Sequence, residues 1–216
     1  MVVGNLYSWW FKMAGLVIVD YGMGNLHSVV GALSHLGADP ATSSDPATVQ
    51  AADALLLPGV GSFKKAMYQL DKSGLSDAIG KAVMARGRKI LGICLGQQLM
   101  CEYGEEDGGH LGLGFISGSV TRLPFYPEKK IPHVGFNNVR FDKQSSLARG
   151  LGNAADFYFV HSYQLNMENR PGLSGICDYY GDFVAMYEHK NIFATQFHPE
   201  KSQTNGLKLL SNFLAV

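Results

Sequence analysis

The sequence predicts a three-layer α/β fold, a mostly parallel central sheet with helices on both faces and added antiparallel hairpins. Short apolar runs alternate with segments of helical periodicity over the first hundred residues, which is the pattern of repeated strand–helix units. Those runs are apolar throughout rather than at every second position, as befits strands covered on both sides. Of 216 residues, 46% are hydrophobic and 17% charged, enough to bury a large core within one domain.

Leu16–Val19 is a β-branched run that ends at Asp20 and the turn Gly22-Met23-Gly24-Asn25, a buried strand feeding a loop. Leu26, Val29, Val30, Leu33 and Leu36 then recur at helical spacing, and Gly37 supplies the stop. Residues 54–57 form a second strand running into Pro58-Gly59-Val60-Gly61, followed by helical stretches over 63–70 and 75–85. A third strand, 89–93, stops at Cys94 and continues as a helix over 96–103. Beyond Glu105, strand-like segments at 118–123, 138–141, 156–163 and 183–187 are separated by turn residues and read as hairpins added to the sheet. Residues 192–197 return to a buried strand with His198-Pro199-Glu200 at its end, and 207–214 close the chain as an amphipathic helix.

Eighteen basic residues balance eighteen acidic ones, so no overall field draws the chain to nucleic acid or to an anionic membrane, and neither is an expected partner. The three cysteines read as reduced thiols, which places the protein in the cytoplasm. Residues 1–12, with Tyr7, Trp9, Trp10 and Phe11, read as an extension ahead of a single domain over 13–216, and Met13 is a candidate start. Lys12 follows the early apolar run instead of preceding it, which is the wrong order for a secretory signal. No Cys and His spacing suggests a zinc site, and Gly22-Met23-Gly24-Asn25 lacks the third glycine of a dinucleotide fingerprint, so no metal or cofactor is expected.

Gly92-Ile93-Cys94-Leu95-Gly96 has the layout of a nucleophile elbow with cysteine in place of serine. Such a turn exposes the sulfur at a strand's carboxyl end, where a helix N-terminus favours the thiolate. Cys101 and Cys177 lack the flanking glycines and read as inert buried thiols. A thiol nucleophile needs a base and the base an orienting group, and His198-Pro199-Glu200 offers both at another strand end. Pro199 also restricts His198 to extended backbone geometry. The amides of Val60 and Leu95 are candidate oxyanion donors.

Together, Pro58-Gly59-Val60-Gly61, the elbow followed by Gln97-Gln98, and Gln196-Phe197-His198-Pro199-Glu200-Lys201-Ser202 resemble the motifs of class I, triad-type glutamine amidotransferases. Asp20-Tyr21-Gly22-Met23-Gly24-Asn25, Ile131-Pro132-His133-Val134-Gly135 and Phe159-Val160-His161-Ser162-Tyr163 narrow the resemblance to the glutaminase subunits of imidazole glycerol phosphate synthases. The resemblance implies a flavodoxin-like fold in which Cys94 forms a γ-glutamyl thioester, His198 acts as base and then acid, and Glu200 orients it. It assigns Gly61, Gln98, His161, Ser162 and Tyr163 to L-glutamine. It also puts Asn25, Ser28, Phe136, Tyr158 and Lys201 on the face that meets a (β/α)8-barrel cyclase in a heterodimer. The family usually has tryptophan where this chain has Phe136, which lacks an indole N–H, so the packing of the partner is expected to differ. Two alternatives stand beside this reading: the same glutaminase serving a sugar-modifying synthase of surface polysaccharide, and a non-catalytic scaffold subunit.

Overall fold

Four predominantly apolar strands, buried but for Lys89 at the start of one, occupy the middle of the sheet because helices cover both of its faces. They are β1 (Leu16–Val19), β3 (Ala54–Gly59), β4 (Lys89–Cys94) and β13 (Ile192–Thr195). In the computed structural model, which describes residues 15–128, 130–168 and 171–216, they run parallel in the order β1-β3-β4-β13. The extension expected at residues 1–12 lies outside the described residues. Successive side chains of a strand point to opposite faces. Accordingly Val17, Val19, Leu55 and Leu57 enter one core with Phe63, Leu70 and Ile79, while Leu16, Ile18, Leu56 and Ile93 enter the other with Leu33, Leu210 and Phe213.

The helices divide in the same way. α1 (Leu26–His35) and α6 (Gln203–Ala215) cover one face; α2 (Pro46–Ala51), α3 (Phe63–Lys72) and α4 (Leu75–Gly80) cover the other. α1 ends where the sequence indicates: Gly37 has φ +82°, and the N–H groups of Gly37 and Ala38 bond back to the carbonyls of Ser34 and Leu33. The stretch expected as one helix over 75–85 passes from α4 into a π-helical turn at Lys81–Ala85.

An edge strand, β2 (Ala41–Ser43), pairs with β1. On the other side the sheet turns antiparallel through β12 (Asp182–His189), β11 (Leu173–Asp178), β8 (His133–Phe141) and β9 (Ala154–His161), making nine strands in all. Three expectations need correction. The segment at 118–123 joins a separate four-stranded sheet, in the order β10 (Tyr163–Asn166), β7 (Ile116–Arg122), β5 (Cys101–Gly104) and β6 (His110–Leu111). The segment at 156–163 is two strands: β9 ends at His161 in the large sheet and β10 begins at Tyr163 in the small one. The helix expected over 96–103 is the single turn α5 (Leu95–Leu99), because Leu113, Phe115 and Ile116 donate to the carbonyls of Leu99 and Met100 and draw the chain into β5. Among the described residues no helix is long and apolar enough to cross a membrane.

α5 packs hard against β3. A Cβ on Gly96 would lie 1.7 Å from the Leu57 carbonyl oxygen, a clash with backbone that no rotamer relieves. Exposed Gly31 in α1, by contrast, has open space around it. Gly96→Ala should therefore lower the free energy of unfolding by about 3 kcal/mol or more, and Gly31→Ala should raise it by about 0.5–1 kcal/mol. Urea unfolding checks both, and a neutral Gly96→Ala would contradict this packing.

Candidate active site

β4 ends at Cys94, which has φ 55° and ψ −109°, and α5 starts at the next residue. That backbone lets the chain leave the sheet and turn into a helix within one residue. The glycines on either side make room: a Cβ on Gly92 would lie 2.8 Å from the Gln97 nitrogen, and Gly96 meets Leu57 as described. The β3–β4 register pairs Gly59 with Cys94, so Val60 follows directly beside the elbow. Leu95 opens α5, and its N–H has no intrahelical partner to claim it.

β13 runs parallel to β4 with Thr195 opposite Ile93, so the chain leaves it at the same sheet edge. The His198 N–H then bonds to the Tyr158 carbonyl at 2.9 Å. Glu200 lies on the 3-10 turn Pro199–Lys201, and its Oε1 accepts from His198 Nδ1 at 2.7 Å; both side chains are only 2% exposed. With Nδ1 committed to the carboxylate, Nε2 is the ring atom turned to Cys94, and among the described residues it has no conventional hydrogen bond. Burial pushes His198 towards its neutral form, but the Cys94 sulfur and the Glu200 carboxylate outweigh burial and hold the imidazole up at about 10. Burial pushes the thiols of Cys101 and Cys177 upward, that of Cys177 to about 12.

Cys94 and His198 open onto a cavity of 320 Å³ whose wall also includes Val60, Gly61, Leu95, Gln98, His161, Ser162 and Tyr163. The sheet switch at Ser162 explains the run 161–163: β9 and β10 belong to different sheets, and the residues joining them face the gap between. Glu200 stands behind His198, outside the cavity wall. Asn25 and Ser28 lie instead at the start of α1, where the Asn25 side chain caps the helix and donates to Ser28 Oγ at 2.8 Å. Phe136 is half exposed and packs edge-on against Tyr158 with ring centroids 5.6 Å apart. Lys201 is exposed on the turn that packs against α1 and β9.

Several residues at the site carry no role in the sequence reading. Glu106 enters the cavity wall from a 3-10 turn, with Oε2 accepting the Phe63 N–H at 2.7 Å. Burial raises its carboxyl above the ordinary range, the Phe63 bond opposes this, and neighbouring Asp107 adds to it. Nothing local in the sequence marks it, because its partner is 43 residues away. Gln196, fully buried, accepts from Gln98 Nε2 at 3.0 Å and directs its own Nε2 at Cys94 Sγ, 3.8 Å away. Ser202 Oγ donates to the His198 carbonyl at 2.6 Å and accepts from the Tyr158 N–H at 2.9 Å, bracing His198 against β9. Both stand inside the Gln-Phe-His-Pro-Glu-Lys-Ser run, the one signal that could have singled them out. Among the described residues no cluster of His, Cys, Asp and Glu is arranged to hold a metal ion.

Residues 17–216 match the family model for class-I glutamine amidotransferases. The chain is 46% identical over 201 residues to "Imidazole glycerol phosphate synthase subunit HisH 1" of Campylobacter jejuni strain RM1221, covering 93% of this chain and 100% of that one. It is 44% identical to the HisH subunit of Moorella thermoacetica, with 93% and 94% covered, and 45% identical to that of Aquifex aeolicus, with 91% and 94% covered. A crystal structure of a glutamine amidotransferase superposes with a TM-score of 0.71 at 18% identity, covering 93% and 98% of the two chains, a likeness of fold. The chain belongs to the class-I glutamine amidotransferase family.

Proposed function

We propose that this chain is the glutaminase subunit of an imidazole glycerol phosphate synthase. It hydrolyses L-glutamine to glutamate and ammonia, and passes the ammonia to a (β/α)8-barrel cyclase in cytoplasmic histidine biosynthesis. The observation that carries the reading is one cavity bordered by Cys94 and His198, with Glu200 bonded behind the histidine, in a chain whose relatives carry the subunit's name. Residues 13–216 act as one domain in this reading.

The geometry supports the following chemistry. Cys94 Sγ attacks the side-chain carbonyl carbon of glutamine, and the amides of Val60 and Leu95 receive the oxyanion. His198, protonated at Nε2 and held by Glu200, gives that proton to the departing nitrogen, so ammonia leaves and a thioester remains. The neutral imidazole then takes a proton from water, hydroxide attacks the thioester, and glutamate and the Cys94 thiolate are released. Gln98, Ser162 and Tyr163 hold the substrate, and the Glu106 carboxylate suits its α-ammonium. Asn25, Ser28, Phe136, Tyr158 and Lys201 form the face for the cyclase, where half-exposed Phe136, packed on partly buried Tyr158, presents aromatic surface.

A second reading, the same glutaminase feeding a sugar-modifying synthase, draws on Phe136 at a position where the family usually has tryptophan. Co-purification separates the two: the histidine-pathway cyclase should bind this chain and stimulate glutamate release. Failure to bind would favour the sugar-modifying partner.

Cys94→Ser should reduce glutamate release by at least about 10³-fold while the chain stays folded; retention of activity would remove Cys94 as the nucleophile. Because the sulfur's charge raises His198, its titration midpoint in that variant should fall well below about 10, read by imidazole nitrogen NMR. The sign for the wild type follows: activity that needs the protonated imidazole persists at neutral pH and declines as pH rises towards 10. Glu106→Gln should raise KM for glutamine about tenfold with little change in kcat, through the lost charge on an ammonium partner. An unchanged KM would place the α-ammonium elsewhere.

A further inference from the structure

The second histidine of the cavity wall, His161, is part of a buried hydrogen-bonded chain whose direction is fixed by its ends. His161 Nδ1 lies 2.8 Å from the Tyr163 carbonyl oxygen, which can only accept, so Nδ1 carries a proton. In a neutral ring Nε2 is then an acceptor, and it lies 3.0 Å from His133 Nδ1, which must donate. The other nitrogen of His133 accepts in turn from Asn137 Nδ2 at 3.4 Å. Asn137 has its amide end oriented independently, since Nδ2 also donates to the Asp178 carbonyl at 3.0 Å and Oδ1 accepts the Asn138 N–H at 2.8 Å. Burial keeps both rings neutral, lowering His133 to about 4 and His161 to about 3, the latter lowered further by His133 and His198.

We propose that His133 is a positioning residue that, by donating to His161 Nε2 while the Tyr163 carbonyl accepts from Nδ1, completes the lock on the neutral Nδ1–H tautomer and thereby sets the donor and acceptor pattern of the glutamine cavity. The proposal rests on the glutaminase reading. His133 is itself held rigidly: it lies opposite His161 in the β8–β9 register and is sandwiched between Tyr179, at 3.8 Å and 18°, and Phe159, at 4.7 Å and 19°. The consequence reaches the substrate through the Tyr163 carbonyl, which also accepts from Gln98 Nε2 at 3.1 Å. Gln98 gives its other amide hydrogen to Gln196 Oε1. Its own Oε1 is therefore the atom left for the cavity, an acceptor for an N–H of the substrate. A His161 in the other tautomer would take its proton away from Tyr163 and release this arrangement. A protonated His161 would put a second positive charge beside His198.

Two variants separate the hydrogen bond from the stacking. His133→Phe keeps an aromatic ring between Tyr179 and Phe159 but cannot donate, whereas His133→Asn loses the ring and keeps a nitrogen donor near the position of Nδ1. In the full chain with nitrogen-15-labelled histidine, wild-type His161 should show a single Nδ1–H tautomer, and His133→Phe, which leaves only the Tyr163 carbonyl to favour it, should turn that into a mixture with the Nε2–H form. In glutamate-release assays of the complex with the cyclase, His133→Phe should raise KM for glutamine about tenfold with kcat within about threefold of wild type, and His133→Asn should return KM to within about threefold. An Nε2–H tautomer in the wild type overturns the proposal. So does a His133→Phe variant with unchanged KM and spectrum, or an Asn variant no better than Phe. The spectra decide the lock without turnover, so absence of glutamine hydrolysis by the wild-type complex would count against the glutaminase reading instead.

Discussion

Cys94 is held at φ 55°, a conformation that costs an L-residue about 1–3 kcal/mol and persists only where its surroundings enforce it. β4 is fixed between β3 and β13 by parallel pairing up to the elbow, and α5 is pressed onto β3 where only glycine fits at position 96. Strand end and helix start are therefore each fixed before the turn between them is made, and the left-handed residue is what closes the gap. The sulfur emerges at the sheet's carboxyl edge as a consequence. The other parts of the site are placed relative to that point by the sheet: Val60 by the register of β3, and His198 by the register of β13.

The two sheets divide the work. The large one delivers Cys94 and His198 from the ends of neighbouring parallel strands, the place where open α/β sheets form their sites. The small one, together with the 3-10 turn at Glu106–Gly108, closes the other side of the cavity. The chain crosses from one to the other at Ser162, so a single connection carries three residues of the wall and ties their position to both sheets. Charge is divided as well. Beside the Glu200–His198 pair, the histidines at 133 and 161 are kept neutral by burial, so the wall adds no positive charge to the imidazolium.

The parallel half of the fold and the elbow were legible in the sequence because their signals are local: unbroken apolar runs, glycines two residues either side of Cys94, and a proline fixing the backbone after His198. The antiparallel half was less so. Leu99 and Met100 suit a helix, but their carbonyls are taken by the backbone of residues 113–116, a tertiary competition that no periodicity reveals. β2, three residues long and largely exposed, has too little apolar character to register as a strand. Glu106 and His133 escaped for a related reason, since each acts through a partner more than twenty-five residues away in sequence. His133, Gln196 and Ser202 stood inside recognised motifs, yet their roles depend on which atoms they face.

If Cys94 alone among the three thiols is built to be acylated by glutamine, covalent trapping should find it and leave the other two. The full chain, mixed with a histidine-pathway cyclase, is treated with a diazo-ketone analogue of glutamine, which alkylates a thiolate and loses dinitrogen, and the modified residue is located by peptide mass spectrometry. One adduct per chain is expected on Cys94, blocked by excess glutamine, with Cys101 and Cys177 untouched. An adduct on either buried thiol, or none on Cys94 under conditions where glutamine is hydrolysed, would contradict that role for Cys94.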